Sequence, residues 1–186
     1  MKIRIVLVLL CILGFGWYMR SCKPIESHSA IPEIHFKKFV FEERWDTWDK
    51  AFKIKGILTF SFIDGDGDLG VTPQEKNSDG TYKPGGGMSR IHYTWYKKLP
   101  DRTYEPFQFI SGIISDSSEI PYSEVMNKDE AQNKTLKGKI EIVLEPPLKP
   151  HEVDTMRIEF YITDRARNES NVDRTPDFSV LDIYEP

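Results

Sequence analysis

The sequence predicts an all-β chain, an antiparallel β-sandwich of about seven to eight strands, and three observations carry that expectation. Four runs of the 186-residue chain alternate apolar and polar residues with period two. Gly-, Asp-, Asn- and Pro-rich turn signals separate the runs. No long stretch carries a 3.6-residue apolar period, so the strands follow one another without intervening helices.

The N-terminus comes first. Met1 to Arg4 is a short basic region, and Ile5 to Met19 is apolar without interruption. Such a run is short for a bilayer span, which needs about 20 residues, but suits the apolar core of a secretory signal. With Ser21 before Cys22 it resembles a bacterial lipoprotein signal, in which the cysteine sulfur takes a diacylglycerol and becomes the first residue after cleavage. Arg20 departs from the small or apolar residue usual there, and an uncleaved signal anchor is the alternative. The resemblance implies a signal peptide over 1–21, a lipidated Cys22 with a tether over 22–30, and a sandwich domain over 31–186. Anchoring would place the chain in the cell envelope, in the periplasmic or surface leaflet of an outer membrane.

Leu58, Phe60 and Phe62 form the apolar face of one strand, and Ile91, Tyr93 and Trp95 that of a second. Ile140, Ile142 and Leu144 form a third, and Met156, Ile158, Phe160 and Ile162 a fourth. Weaker strands are expected over 34–41, 104–110, 118–125 and 178–184, with bulges at Lys37-Lys38 and Val180-Leu181 where the apolar set shifts face. The segment 124–135 is polar and suits a short surface helix.

Composition narrows the function. The net charge is -4, and without the first 21 residues 22 bases stand against 29 acids, a net of -7. That balance argues against a nucleic-acid partner, which needs a basic face. Of the two cysteines, Cys11 lies within the signal, so a lipidated Cys22 leaves no thiol for catalysis or metal. The four histidines are scattered, and no Gly-x-Ser-x-Gly or His-Glu-x-x-His set is present.

The sharpest local feature is Asp64-Gly65-Asp66-Gly67-Asp68-Leu69-Gly70. It satisfies Gly-x-Gly-x-x-Gly, but two carboxylates would face a pyrophosphate and the βαβ context is missing, so a dinucleotide loop is rejected. Asp64, Asp66 and Asp68 instead take positions 1, 3 and 5 of a calcium-type loop, with Glu75 at position 12. Leu69 stands where an EF-hand needs glycine, so the expectation is a Ca²⁺ loop on a β scaffold. The alternative is a solvated turn in which Gly65 and Gly67 supply positive φ. A second motif, Asp164 to Asn171 (DRARNESN), closes the last strong strand. It reads either as a side-chain-stapled loop or as the source of a further cation ligand, Asp164 or Asn168.

Together these motifs resemble an uncharacterised family of lipoproteins from Bacteroidetes-type bacteria, with a strand ending in DGDGD[IL]G and a later one ending in DRAxNxSN before Thr-Pro. The late motif also resembles the D-x-A-G-N turn of bacterial immunoglobulin-like domains, with Arg167 in place of the glycine and hence a less sharp turn expected. The resemblance implies an immunoglobulin-like sandwich in the envelope and no activity.

Three functions follow as expectations. The first is a non-catalytic envelope lipoprotein, a binding or structural module with an envelope protein or glycan as partner. The second is carbohydrate binding through Trp45, Trp48, Trp95, Tyr93 or Tyr96, set against the expectation that these rings pack in the core or cover its end. The third is a carboxylate-based glycoside hydrolase, disfavoured because nothing apolar beside the three aspartates would raise one pKa.

Overall fold

A computed structural model describes residues 28–109, 112–113, 115–120, 135–147, 154–179 and 181. The signal stretch, Cys22, His151, the helix expected over 124–135 (except Thr135) and the Val180 side of the last expected bulge lie outside these residues.

Strands β1 (Glu33–Asp46) and β2 (Ala51–Asp64) form a long antiparallel hairpin. Its register shifts between Phe36 and Lys38, at the position where the apolar pattern changes face. A one-turn 3-10 helix at Pro73–Glu75 follows. Then come β3 (Arg90–Lys98), β4 (Tyr104–Pro106), β5 (Gln108–Phe109), β6 (Gly112–Ile113) and β7 (Ser115–Glu119). The chain closes with β8 (Leu136–Leu144), β9 (Thr155–Thr163), β10 (Asp173–Arg174) and β11 (Phe178–Ser179). One sheet has the order β1-β2-β8. The other runs β10-β9-β3-β4, with β7 also on β3 and β11 also on β9.

These are the two antiparallel layers of a sandwich. Their strand orders correspond to A-B-E and G-F-C of an immunoglobulin fold, with β4 and β7 extending beyond the C position. The strands are more numerous than expected, and β1 and β2 run longer than their apolar patterns, at 14 residues each. The strand expected over 104–110 divides because Phe107, after donating its N–H to Trp95 O, hands the chain to a separate β5-β6 pair. The strand expected over 118–125 begins earlier, at Ser115, because Ser-Asp-Ser-Ser-Glu carries no apolar alternation to announce it.

The core lies between the layers. Leu58, Phe60 and Phe62 of β2 pack with Ile91 and Trp95 of β3 and with Met156, Ile158, Phe160 and Ile162 of β9. Each fully buried side chain of this size contributes roughly 1.5–3 kcal/mol. Phe60 and Phe160 meet across the sheets with centroids 5.3 Å apart. They come from β2 and β9, one from each layer, and Trp95 of β3 is fully buried in the same cluster. An aromatic contact therefore joins the two layers at the centre of the core.

The layers are also stitched along one edge. The Asn171 side chain accepts from Ile34 N–H (2.8 Å) and donates to Ile34 O (3.0 Å), and Asp173 accepts from Phe36 N–H (2.6 Å).

Candidate metal centre

Two strands from opposite sheets end together at one pole. Asp64 is the last residue of β2 and Asp164 directly follows β9. Asp64, Asp66, Asp68 and Asp164 each offer a carboxylate oxygen, and these oxygens lie within 4.8 Å of one another. This group can hold a metal ion.

The two loops that carry the group are interlocked. Asp68 O accepts from Arg165 Nε (2.7 Å), and Asp68 Oδ2 accepts from Ala166 N–H (2.9 Å). Asp164 is gripped from its own loop, by the N–H (2.7 Å) and Nδ2 (2.8 Å) of Asn168. Asn168 thus orients a ligand rather than being one. Leu69 N–H donates to Asp64 Oδ2 (3.0 Å). Gly67 and Gly70 take positive φ, of 71° and 101°, which lets the loop fold back on itself. Gly65 is different. Its φ is ordinary, and it is small because a Cβ there would collide with the carbonyl oxygens of His28 and Ser29. Arg167 adopts φ 70°, so the late turn has the left-handed backbone of a glycine turn despite its side chain, at a cost of about 1–2 kcal/mol.

What these contacts leave over is decisive. Asp64 is 0% exposed, yet its Oδ1 has no hydrogen-bond partner, and Asp68 Oδ1 is likewise buried and unpartnered. Two ionised carboxylates 4.8 Å apart repel by roughly 3 kcal/mol at an effective dielectric of 20. Burial first, and then the Asp66 charge, push the Asp64 carboxyl up to about 7. Burial, followed by the charges of Asp164 and Asp66, also raises Asp68. The expectation that nothing at the loop would raise a carboxyl pKa is therefore corrected, since the sandwich buries Asp64 beside the charges of Asp66 and Asp68. Asp64 and Asp164 have no exposed surface, whereas Asp66 and Asp68 keep some.

No protein family, no curated protein and no solved structure matches this chain. The residues alone carry the functional argument.

Glu75 is not among the converging carboxylates. Its Oε2 accepts from Thr72 N–H (2.7 Å) and closes a capping box on the 3-10 turn. An EF-hand brings its twelfth residue back along a helix, whereas here the chain leaves the loop at Val71, whose N–H pairs with Ile120 O (2.8 Å).

The expected sugar-stacking rings separate. Trp95 is fully buried and Tyr93 packs against the core, so neither offers a face to a ligand. Trp45 and Trp48 are not core rings. They are 54% and 94% exposed at the hairpin tip, where Phe52 is 67% exposed and stands edge-on to Trp45 at 5.3 Å. Trp45 also belongs to β1, opposite Phe52, rather than to a segment outside the strands. Near the same tip Lys55, 6% exposed, binds Asp46 Oδ2 (3.0 Å) and Glu145, a buried charge pairing that the sequence pattern did not announce.

Proposed function

We propose that this chain is a non-catalytic lipoprotein of the cell envelope, a binding or structural module held by lipid at Cys22 and stabilised by Ca²⁺ at the Asp64, Asp66, Asp68 and Asp164 site. The observation that carries the cation reading is the pair of buried, unpartnered carboxylate oxygens inside a four-aspartate group. All the donors are hard oxygens, which suit Ca²⁺ or Mg²⁺ rather than a thiophilic metal. Four carboxylates converging from two loops suit calcium, which takes more oxygen ligands in a looser geometry, whereas Mg²⁺ demands a near-ideal octahedron and gives up its hydration shell reluctantly. The lipid anchor rests on the Ser21-Cys22 motif after an apolar run. Exposure of Trp45 and Trp48 favours a glycan as the partner, since bare indole faces stack on the C–H faces of sugar rings.

Calorimetry and thermal melting of the full chain test the cation reading. Calcium at 100 times Kd adds about 2.7 kcal/mol to the folded state. In a domain of this size that raises Tm by roughly 5–10 °C, with magnesium doing less. Asp64→Ala combined with Asp68→Ala removes the shift. Millimolar calcium that gives neither heat nor a shift overturns the reading. On the same protein, palmitate labelling that survives Cys22→Ser overturns the anchor.

A further inference from the structure

The cation loop touches one more segment, and that segment leads toward the lipidation motif. Gly65 N–H donates to Ser29 O at 2.9 Å. The Ser29 hydroxyl in turn accepts from Ile31 N–H at 3.0 Å. A Cβ at position 65 would strike the carbonyl oxygens of both His28 and Ser29, so the segment lies flat on the glycine backbone. Thr135 Oγ1 reaches Gly65 O at 3.5 Å from the other direction. Gly65 is flanked in sequence by Asp64 and Asp66, two of the four converging carboxylates. The position of its N–H is therefore set by how tightly those neighbours are drawn together.

We propose that the Asp64–Asp164 site is a cation-dependent clasp on the anchor side of the module: an ion bound there locks His28–Ile31 against Gly65, and its loss releases that segment. The proposal rests on the cation reading above and adds to it a mechanical consequence. An ion holds the carboxylates of Asp64 and Asp66 on one centre and fixes the peptide between them. Without the ion the like charges spread, the Gly65 N–H turns away from Ser29 O, and the flat contact opens. Sequence position makes this matter. Cys22 precedes His28 by six residues and Glu33, the start of β1, by eleven. At no more than about 3.5 Å per residue, the leash from lipid to module lengthens from roughly 20 Å to roughly 40 Å when the clasp opens. The greatest reach from lipid to module is then short with the ion and about twice as long without it.

Hydrogen exchange on the full chain, in calcium and after chelation, tests the clasp at the Gly65 and Ile31 amides. Calcium is expected to slow exchange at both by tenfold or more. In Gly65→Ala the added methyl displaces the segment, so calcium still raises Tm while protection at Ile31 no longer responds. If calcium raises the wild-type Tm but leaves exchange at Gly65 and Ile31 unchanged, the clasp is wrong and the cation site stands. If calcium neither binds nor raises Tm, both fall. The wild-type comparison decides the matter whether or not Gly65→Ala folds.

Discussion

The two ends of β2 solve the same electrostatic problem in opposite ways. At the Ala51 end, near the hairpin tip, charges of both signs meet. Lys55 sits between Asp46 and Glu145, Lys53 pairs with Asp46 and Asp49, and Asp46 also accepts from Trp48 N–H and Asp49 N–H. Hydrogen bonding from Lys55 holds the Asp46 carboxyl far below its usual range. At the Asp64 end, some 43 Å away at 3.3 Å per residue, four carboxylates meet. The nearby cation there, Arg165, donates to a backbone oxygen of Asp68 rather than to a carboxylate. One end is neutralised by its own side chains, and the other brings together four carboxylates that can hold a metal ion. A single strand thus shows both what a self-sufficient charged site looks like and what an unfinished one looks like.

The largest expected effect that sharpens this contrast is on pH. In metal-free buffer Asp64 titrates near 7 when folded and near 3.8 when unfolded, so the folded state holds its proton more tightly. That contribution is intact below about pH 4 and is lost as pH rises through 7, a fall of up to about 4 kcal/mol. Saturating calcium requires the ionised form, so it abolishes this fall and leaves the Asp64 contribution flat above about pH 5. Denaturant melts between pH 4 and 8, with and without calcium, read this directly. Equal slopes in the two buffers would erase the difference between the ends.

A matched pair of substitutions gives the next largest effect. Asp46→Ala strips an acceptor from Lys55 and two backbone amides, and is expected to destabilise the protein whether or not calcium is present. Asp66→Asn removes a charge that Asp64 and Asp68 both feel, and is expected to stabilise the metal-free protein by about 1 kcal/mol while weakening calcium binding. The same loss of a carboxylate therefore carries opposite signs at the two ends, as equilibrium unfolding can show.

The smallest effect belongs to the tip rings. Trp48→Ala removes a side chain with almost no protein neighbours, so stability changes by less than about 0.5 kcal/mol and the calcium shift stays the same. A loss above 2 kcal/mol would mean that Trp48 is a structural ring after all.

The four strong strands and the bulge at Lys37-Lys38 were legible because period-two patterning reports directly on which face is inward. The aspartate trio was legible because its alternation brings side chains to one side of a turn. Asp164 was readable as an alternative because it ends the strand with the cleanest pattern. Glu75 was misread because counting to position 12 presumes a helical return path that a β scaffold lacks. The exposure of Trp45 and Trp48 was hidden for another reason. β8 stops at Leu144, opposite Gly56, so the hairpin outruns its neighbour. How far one strand extends past another depends on the partner's length, which no local pattern in β1 records. The role of Gly65 was hidden similarly, since a close approach from residues 28–29 leaves no mark within the loop itself.

The stitch at Asn171 has a consequence for crowds of this molecule. β1 is an outer strand of its sheet, and a bare outer strand offers a row of amides and carbonyls to any passing chain. The Asn171 carboxamide answers both the N–H and the C=O of Ile34, and Asp173 answers the next amide on that side. A side chain imitates the peptide group of a missing neighbour and takes its place. Where neighbours crowd together, the imitation strand occupies the Ile34–Phe36 stretch of an edge at which they would otherwise zip into a continuous sheet.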